Sequence, residues 1–211
     1  MYINQSLKKY LDDLADKKPT PGGGSAAALT SALGTALISM VCNFTIGKQK
    51  FRDKEEEINK ILAENETLRQ RFMELVDLDI SAYEKVTQMR KLFKENKEIY
   101  EKKMQEAIRE AVMTPLEVCQ LSIQALKICK NLIDKINVNL ISDLSVSTNL
   151  LQAGYQSALL NIEINLPFLK DRDFILEVRR ILEPLTKESQ ILPNLILAGI
   201  KEEINKITPG K

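Results

Sequence analysis

An uncharged run bounded by Lys18 and Lys48 is the feature that most constrains how this chain folds. It opens with Pro-Thr-Pro and the glycines at positions 22–24, and continues through a segment rich in Ala, Ser and Leu. The prolines keep the approach out of helical conformation, so a helix is predicted from Ser25 to Thr45. Ser, Thr and Asn residues interrupt the run, which favours a central helix buried among other helices over a segment that crosses a bilayer.

Apolar residues recur at helical spacing along nearly all of the remaining chain. The pattern predicts a first helix whose apolar face is formed by Leu7, Leu11 and Leu14 together with Tyr10. It predicts further helices over 53–94, 100–112, 114–136 and 142–166, with a break at Glu95-Asn96 between the first two. Thr114 is the expected N-cap of helix 114–136, and Pro115 its first residue. A last helix is expected after a cap at Asp171, with Pro184 and Pro193 as kinks or breaks. The predicted fold is all-α, a single-domain bundle of long helices over 1–211 around a buried central helix.

Composition excludes several classes of function. Lys and Arg number 30 against 29 acidic residues, aromatic residues make up 5% and Trp is missing, so neither a nucleic-acid partner nor a membrane surface is expected. The chain has no histidine, which excludes Ser-His and Cys-His nucleophile pairs and His-containing metal sites. Proton transfer would have to rest on carboxylates, lysines, tyrosines or water. The three cysteines are expected to be reduced, buried thiols of a cytoplasmic protein.

The three glycines allow two interpretations. Because glycine has no side chain, they leave the backbone open at a helix N-terminus, where a polar or anionic ligand could approach the free N–H groups. The residues alone favour a tight turn that lets two helices pack closely. A nucleotide-binding P-loop is excluded, because Ser25 follows Gly24 with no lysine between them.

Carboxylates stand at two places where chemistry could occur. Asp77 and Asp79 interrupt an apolar stretch and point to different faces, so at most one is expected to be buried. A half-buried carboxylate there would have a raised pKa suited to proton transfer; a solvated aspartate is the alternative. Asp143 lies in the first turn of helix 142–166, where the helix dipole favours a carboxylate with or without a function. Asn161 and Asn165 share its small, polar face and suit an amide-rich ligand or a bond between helices.

Several segments resemble a known family. The similarity covers roughly residues 5 to 170 in order, and its segments are 19–29, 40–48, 79–83, 114–118, 139–146 and 158–165. They resemble the formiminotetrahydrofolate cyclodeaminase / methenyltetrahydrofolate cyclohydrolase family. The glycine motif and the segments around Asp143 and Asn161 are the specific ones.

The resemblance implies a one-carbon tetrahydrofolate as substrate, with no bound cofactor and no metal. It implies Asp143 as the proton-transfer residue and Asp79 as its helper or as an orienting group. Gly22, Gly23 and Gly24 with Ser25 would form a polar wall. Hydrogen-bond donors would come from Asn139, Asn161 and Asn165, Ser142 would contribute to binding beside Asp143, and Lys48 would contact the glutamate tail of the folate.

The activity expected first is the cyclodeaminase reaction, which closes 5-formiminotetrahydrofolate to methenyltetrahydrofolate and releases ammonia. Methenyltetrahydrofolate cyclohydrolase is the alternative, and a non-catalytic folate-binding helical oligomer is the second. We expect no formiminotransferase domain in this chain, although some relatives fuse one to the cyclodeaminase; a separate transferase could feed it. The small-residue faces also predict a homodimer.

Overall fold

Six long or medium helices make up the computed structural model, which describes residues 1–91 and 97–207. They are α1 (Leu7–Ala15), α2 (Gly23–Thr45), α3 (Glu55–Lys91), α4 (Lys97–Leu132), α5 (Ile141–Asn165) and α6 (Arg172–Ile207). The two described ranges contain no strand, so the all-α prediction is confirmed. The predicted break at Glu95-Asn96 lies outside the described residues.

Local signals explain where several helices begin. The Ser6 hydroxyl accepts the backbone N–H of Lys9 at 3.1 Å and caps α1. Three glutamates occupy the first turn of α3, where the helix dipole favours negative charge. The carboxylate of Asp171 accepts the N–H of Phe174 at 3.0 Å, which confirms the predicted cap before α6.

The prediction that a helix begins at Pro115 was wrong, and neither Pro184 nor Pro193 breaks a helix. A kink at Pro184 or Pro193 stays a prediction. α4 runs through Pro115, and α6 runs through Pro184 and Pro193 without ending. Thr114 does not cap a helix: its hydroxyl donates to the carbonyl of Glu110 within α4, at 3.3 Å. Each proline costs backbone hydrogen bonding, but long helices derive most of their stability from packing, and α4 packs against both α3 and α5.

The core forms around α2, which lies between α3 and α5 and also touches α4. α2 runs antiparallel to both neighbours. Gly24 and Thr35 of α2 meet Asp79 and Asn65 of α3, so the order along the two helices is reversed. In the same way, Gly23 and Gly34 meet Asn161 and Leu151 of α5. Close approach depends on small residues. A Cβ added at Gly154 would lie 2.0 Å from the hydroxyl oxygen of Ser31, so α5 could not pack this closely on α2 with any larger residue.

Large apolar side chains lie on unexpected faces. α2 is long and apolar enough to span a membrane, and most of its apolar stretch is buried within the bundle, yet Leu33 and Phe44 face outwards. In α1 the predicted apolar face is buried at Tyr10 and not at its leucines. Leu7 and Leu11 are 65% and 51% exposed, and the residues that α1 buries are Tyr10 and Asp13.

Candidate active site

A cavity of about 220 Å³ opens where the N-terminus of α2 meets α3, α4 and the C-terminal end of α5. We call it the Asp79 cavity. Its lining residues are Pro19, Thr20, Gly22, Gly23, Gly24, Asp79, Ala82, Tyr83, Val86, Ala111, Asn161 and Asn165. The volume suits the reacting part of a ligand, since sites that enclose a whole drug-sized molecule are larger.

Asp79 is the ionised side chain of this lining. It lies half-buried on α3, and burial raises the pKa of its carboxyl from 3.8 to about 6, while the backbone N–H of Ser25 lowers it in part. A carboxyl with that pKa is mostly ionised at neutral pH and can still take up a proton. Such a group can act as a general base or a general acid near pH 7.

Gly24 allows the carboxylate to lie directly against the first turn of α2. A Cβ added at Gly24 would lie 2.1 Å from Oδ1 of Asp79. The first hydrogen bond within α2 joins the N–H of Ala26 to the carbonyl of Gly22, so the preceding N–H groups have no partner within the helix. The glycines therefore allow close packing of α2 against α3, and they also leave backbone N–H groups of α2 uncovered at the cavity.

Asn161 and Asn165 form the opposite wall. The amide nitrogen of Asn161 donates to the carbonyl of Ser157, and that of Asn165 donates to the carbonyl of Asn161, both at 2.8 Å. These bonds use a donor of each side chain within α5. The carboxamide oxygens are left to accept hydrogen bonds from a ligand.

Ser25 lies behind the glycine wall and not in it. Its side chain is fully buried, and its hydroxyl lies 3.1 Å from the hydroxyl of Tyr10. Its expected contact with a ligand is therefore replaced by a contact with α1. The backbone of Ser25 still reaches the site through Asp79.

The remaining predicted residues lie at the other end of the bundle. Asp143 is in the first turn of α5, and Lys48, Asn139 and Ser142 are exposed around it, beyond the C-terminus of α2. Eighteen residues of helix separate Asp143 from Asn161, or about 27 Å. One chain therefore does not bring Asp143 and Asp79 together, contrary to the expected pairing.

Two larger cavities are weaker candidates. A groove of about 770 Å³ lies between α5 and α6, and one of about 560 Å³ lies between α3 and α4. An acidic group of each forms an ion pair: Glu183 with Lys187 in the first, and Glu117 with Arg71 in the second. The first groove also contains Glu163. Unlike the Asp79 cavity, neither groove is lined by the glycines of α2.

The described residues do not form a metal site, and the cysteines are not paired. Within residues 1–91 and 97–207, no three His, Cys, Asp or Glu side chains are grouped to hold a metal ion. All three cysteines are buried free thiols, as expected. Sequence reasoning did not assign Tyr10, Ala111 or Val86 to the site, because each fits an ordinary apolar helix face.

The chain is similar to known proteins along most of its length. A sequence model of the formiminotransferase-cyclodeaminase family matches residues 6–183. The chain is 37% identical over 205 residues to the methenyltetrahydrofolate cyclohydrolase of Methylorubrum extorquens, and the match covers 96% of this chain and 99% of that protein.

More distant relatives cover nearly the same part of the chain. The formimidoyltransferase-cyclodeaminase of Sus scrofa is 29% identical over 204 residues, which are 92% of this chain and 37% of that longer protein. The crystal structure of formiminotetrahydrofolate cyclodeaminase from Thermotoga maritima has a TM-score of 0.88 and 28% identity, and the match covers 97% of this chain and all of that one.

Proposed function

The chain belongs to the formiminotransferase-cyclodeaminase family, and from that premise we propose that it opens the methenyl bridge of methenyltetrahydrofolate with water, as a cyclohydrolase. It is an enzyme of one-carbon tetrahydrofolates. The choice of reaction is supported by the relative that is 37% identical along 99% of its own length, which is named as a cyclohydrolase.

The observation that carries the chemistry is Asp79 in its cavity. At neutral pH an ionised carboxylate faces a space whose other lining side chains carry no formal charge. The methenyl bridge is a cationic carbon between two nitrogens, so the carboxylate favours its binding. Asp79 then accepts a proton from water as the new oxygen–carbon bond forms. The carbon–nitrogen bond then breaks, and the proton held by Asp79 passes to the leaving nitrogen. The hydroxyl of the adduct releases its own proton to solvent as it becomes the carbonyl of the formyl product.

The walls of the cavity suit the ring system of a folate. The glycines allow a flat ligand to approach the backbone of α2, and the oxygens of Asn161 and Asn165 accept N–H groups of the ligand. The cavity is too small for the whole substrate. The aminobenzoyl-glutamate part would therefore extend towards the rim near Tyr83.

Cyclodeaminase is the second candidate, supported by the structural match to the Thermotoga maritima enzyme over the whole of that chain. In that reaction the aminobenzoyl nitrogen attacks the formimino carbon, the carbon–nitrogen bond to the amino group breaks, and ammonia leaves. Asp79 would take the proton from the attacking nitrogen and deliver it to the departing amine.

Absorbance in the near ultraviolet separates the candidates. A cyclohydrolase removes the methenyl band faster than buffer does and leaves formiminotetrahydrofolate unchanged. A cyclodeaminase creates the band from the formimino compound and releases ammonia. Asp79→Asn should lower kcat about 10²- to 10⁴-fold, while the exposed Asp134→Asn serves as a matched control. Turnover by Asp79→Asn within about tenfold of wild type would remove Asp79 from the mechanism.

We further propose a homodimer through the outer faces of α2 and α5. Five large apolar side chains on these adjacent helices are 48% to 68% exposed: Leu33, Phe44, Val146, Leu160 and Ile164. α2 carries no charge, and α5 carries none between Asp143 and Glu163. An exposed, uncharged face of this kind is typical of a protein interface.

A dimer would also give the distant Asp143 a place in the site. In an antiparallel pairing, the end of one copy that holds Asp143 and Lys48 would lie beside the glycines of the other. The test mixes two inactive variants, Asp79→Asn and Asp143→Asn, after dissociation and reassociation. Shared sites would restore about a quarter of wild-type activity, because half of the dimers are mixed and each has one intact site. No restoration would contradict the shared site, and a monomeric wild type in sedimentation would contradict the dimer.

A further inference from the structure

A hydroxyl pair links α1 to the Asp79 cavity from behind. The hydroxyl of Tyr10 lies 3.1 Å from that of Ser25, and both side chains are buried. Ser25 is the third residue of α2, and its backbone N–H interacts with the carboxylate of Asp79. The negative charge of Asp79 in turn raises the pKa of Tyr10, after the larger effect of burial, so the two groups are electrostatic neighbours.

The N-terminal segment holds Tyr10 in place from several sides. The carboxylate of Asp77, two residues before Asp79, accepts the backbone N–H groups of Tyr2 and Ile3 at 2.5 and 3.3 Å. The ring of Tyr2 packs edge-on against that of Tyr10, with centroids 5.8 Å apart. The hydroxyl of Tyr2 donates to the buried carboxylate of Asp13 at 2.8 Å.

The same Asp13 ties the start of the glycine loop to α1. It forms ion pairs with Lys9 of α1 and with Lys18, the residue before Pro19. The two ends of the segment that leads into the cavity are thus fixed, one at Asp13 and one at Ser25. This arrangement does not build a ligand site of its own; it fixes the first turn of α2.

We propose that Tyr10 is a positioning residue for Asp79: its hydroxyl holds Ser25, and Ser25 holds the first turn of α2 against the catalytic carboxylate. The proposal rests on the proposed function of Asp79. It assigns a task to α1, whose leucines are exposed and whose buried residues are a tyrosine and an aspartate. Tyr10 and Asp13 both form directional polar contacts, so α1 fixes the position of its neighbours more than it buries apolar surface.

Few other groups can set the ionisation of Asp79. On α3 the titratable neighbour in the cavity lining is Tyr83, and on α1 it is Tyr10. α2 carries no charged residue, and the lining residues of α4 and α5 are Ala111, Asn161 and Asn165. A change in the Ser25 contact should therefore be visible in the titration of Asp79.

The test is Tyr10→Phe, which keeps the ring and removes the hydroxyl. Loosening the Ser25 contact removes an interaction that lowers the pKa of Asp79, so that pKa should rise. A neutral hydrogen bond is worth a factor of about two to ten, so kcat/KM at pH 6 should fall about 1.5- to 6-fold. At pH 8, where Asp79 is ionised in both proteins, kcat/KM should stay within about twofold. Ser25→Ala should lower kcat/KM at pH 6 by a similar factor. The double variant should lower it little further, because both changes remove the same contact between Tyr10 and Ser25.

Controls separate this role from a structural one and from failure of the proposed function. Tyr155→Phe removes a different tyrosine hydroxyl, which bonds the hydroxyl of Thr186 at 3.0 Å and does not touch Ser25, and should leave the pH profile in place. Carbon-13 NMR of Asp79 reads its titration without turnover, so Tyr10 can be tested even if Asp79→Asn proves active and the proposed function fails. An unshifted titration of Asp79 in Tyr10→Phe, or an activity loss equal at pH 6 and pH 8, would overturn the positioning role.

Discussion

The burial of Asp79 should make the native protein less stable at neutral pH than it would be with a neutral residue there. Its pKa in the folded chain is about 6, against 3.8 for an ordinary aspartate. The difference corresponds to about 3 kcal/mol of unfolding free energy when the carboxyl is fully ionised. Asp79→Asn keeps the shape of the side chain and removes the charge, so it should recover most of this free energy.

The contribution of Asp79 to the free energy of unfolding changes with pH in a definite direction. A carboxyl whose pKa is raised in the folded state binds protons more tightly there than in the unfolded chain. Its favourable contribution is complete below the unfolded pKa, near 3.8, and is lost as pH rises through the folded pKa, near 6. The advantage of Asp79→Asn over wild type should therefore grow with pH, by about 2 kcal/mol between pH 4.5 and pH 8.

The assay is urea unfolding of both proteins at one protein concentration, across that range of pH. The comparison is the difference between variant and wild type, because titration of every other group cancels when it is unaffected by the change. The control Asp134→Asn removes an exposed carboxylate and should give a difference that is nearly independent of pH.

Two results would refute this reasoning. A difference between Asp79→Asn and wild type that stays constant from pH 4.5 to pH 8 would mean that burial does not raise the pKa of Asp79. A difference that shrinks with rising pH would mean that the ionised carboxylate is stabilised in the fold. Either result would also remove the basis for a general base with a pKa near neutrality.

Three further predictions test the geometry of the site. The kcat/KM for methenyltetrahydrofolate should rise with pH through about 6 and level off above it, as Asp79 ionises; a flat profile from pH 5 to pH 8 would contradict its role as a base. Gly24→Ala should displace the Asp79 carboxylate and lower kcat about 10²-fold in the absorbance assay. Gly22→Ala, whose added methyl meets no protein atom within 4 Å, should leave the titration of Asp79 unchanged. Gly154→Ala should press on Ser31 and destabilise the fold by about 1–3 kcal/mol in urea unfolding, and equal stability would show that α2 and α5 can separate freely.

The helical fold was predictable because periodicity and small residues carry it. The central helix was expected from Ser25 to Thr45 and is found from Gly23 to Thr45. Ala28 and Ala32, from the segment rich in Ala, Ser and Leu, are buried, as expected of a central helix. The cap at Asp171 was also readable, since a single side chain forms it.

The failures share a physical cause, which is that tertiary packing overrides local signals. Pro115 looks the same at the first position of a helix and inside one; contacts with α3 and α5 determine that α4 continues. The leucine stripe of α1 fits a buried face, but α1 lies on the bundle through Tyr10 and Asp13. Motifs on one chain were also expected to form one site, although α5 is long enough to hold Asp143 and Asn161 at opposite ends.

The sequence alone could not separate packing from chemistry at the glycines, because Gly24 contributes to both. Without a side chain there, the first turn of α2 can lie against α3. That same approach half-buries the carboxylate of Asp79 beside a backbone N–H. Burial supplies the raised pKa, and the N–H limits it. A larger residue at position 24 would push α2 away from α3 and expose Asp79 to solvent. The pKa of Asp79 would then fall towards 3.8, and its carboxylate would be a weaker proton acceptor near pH 7.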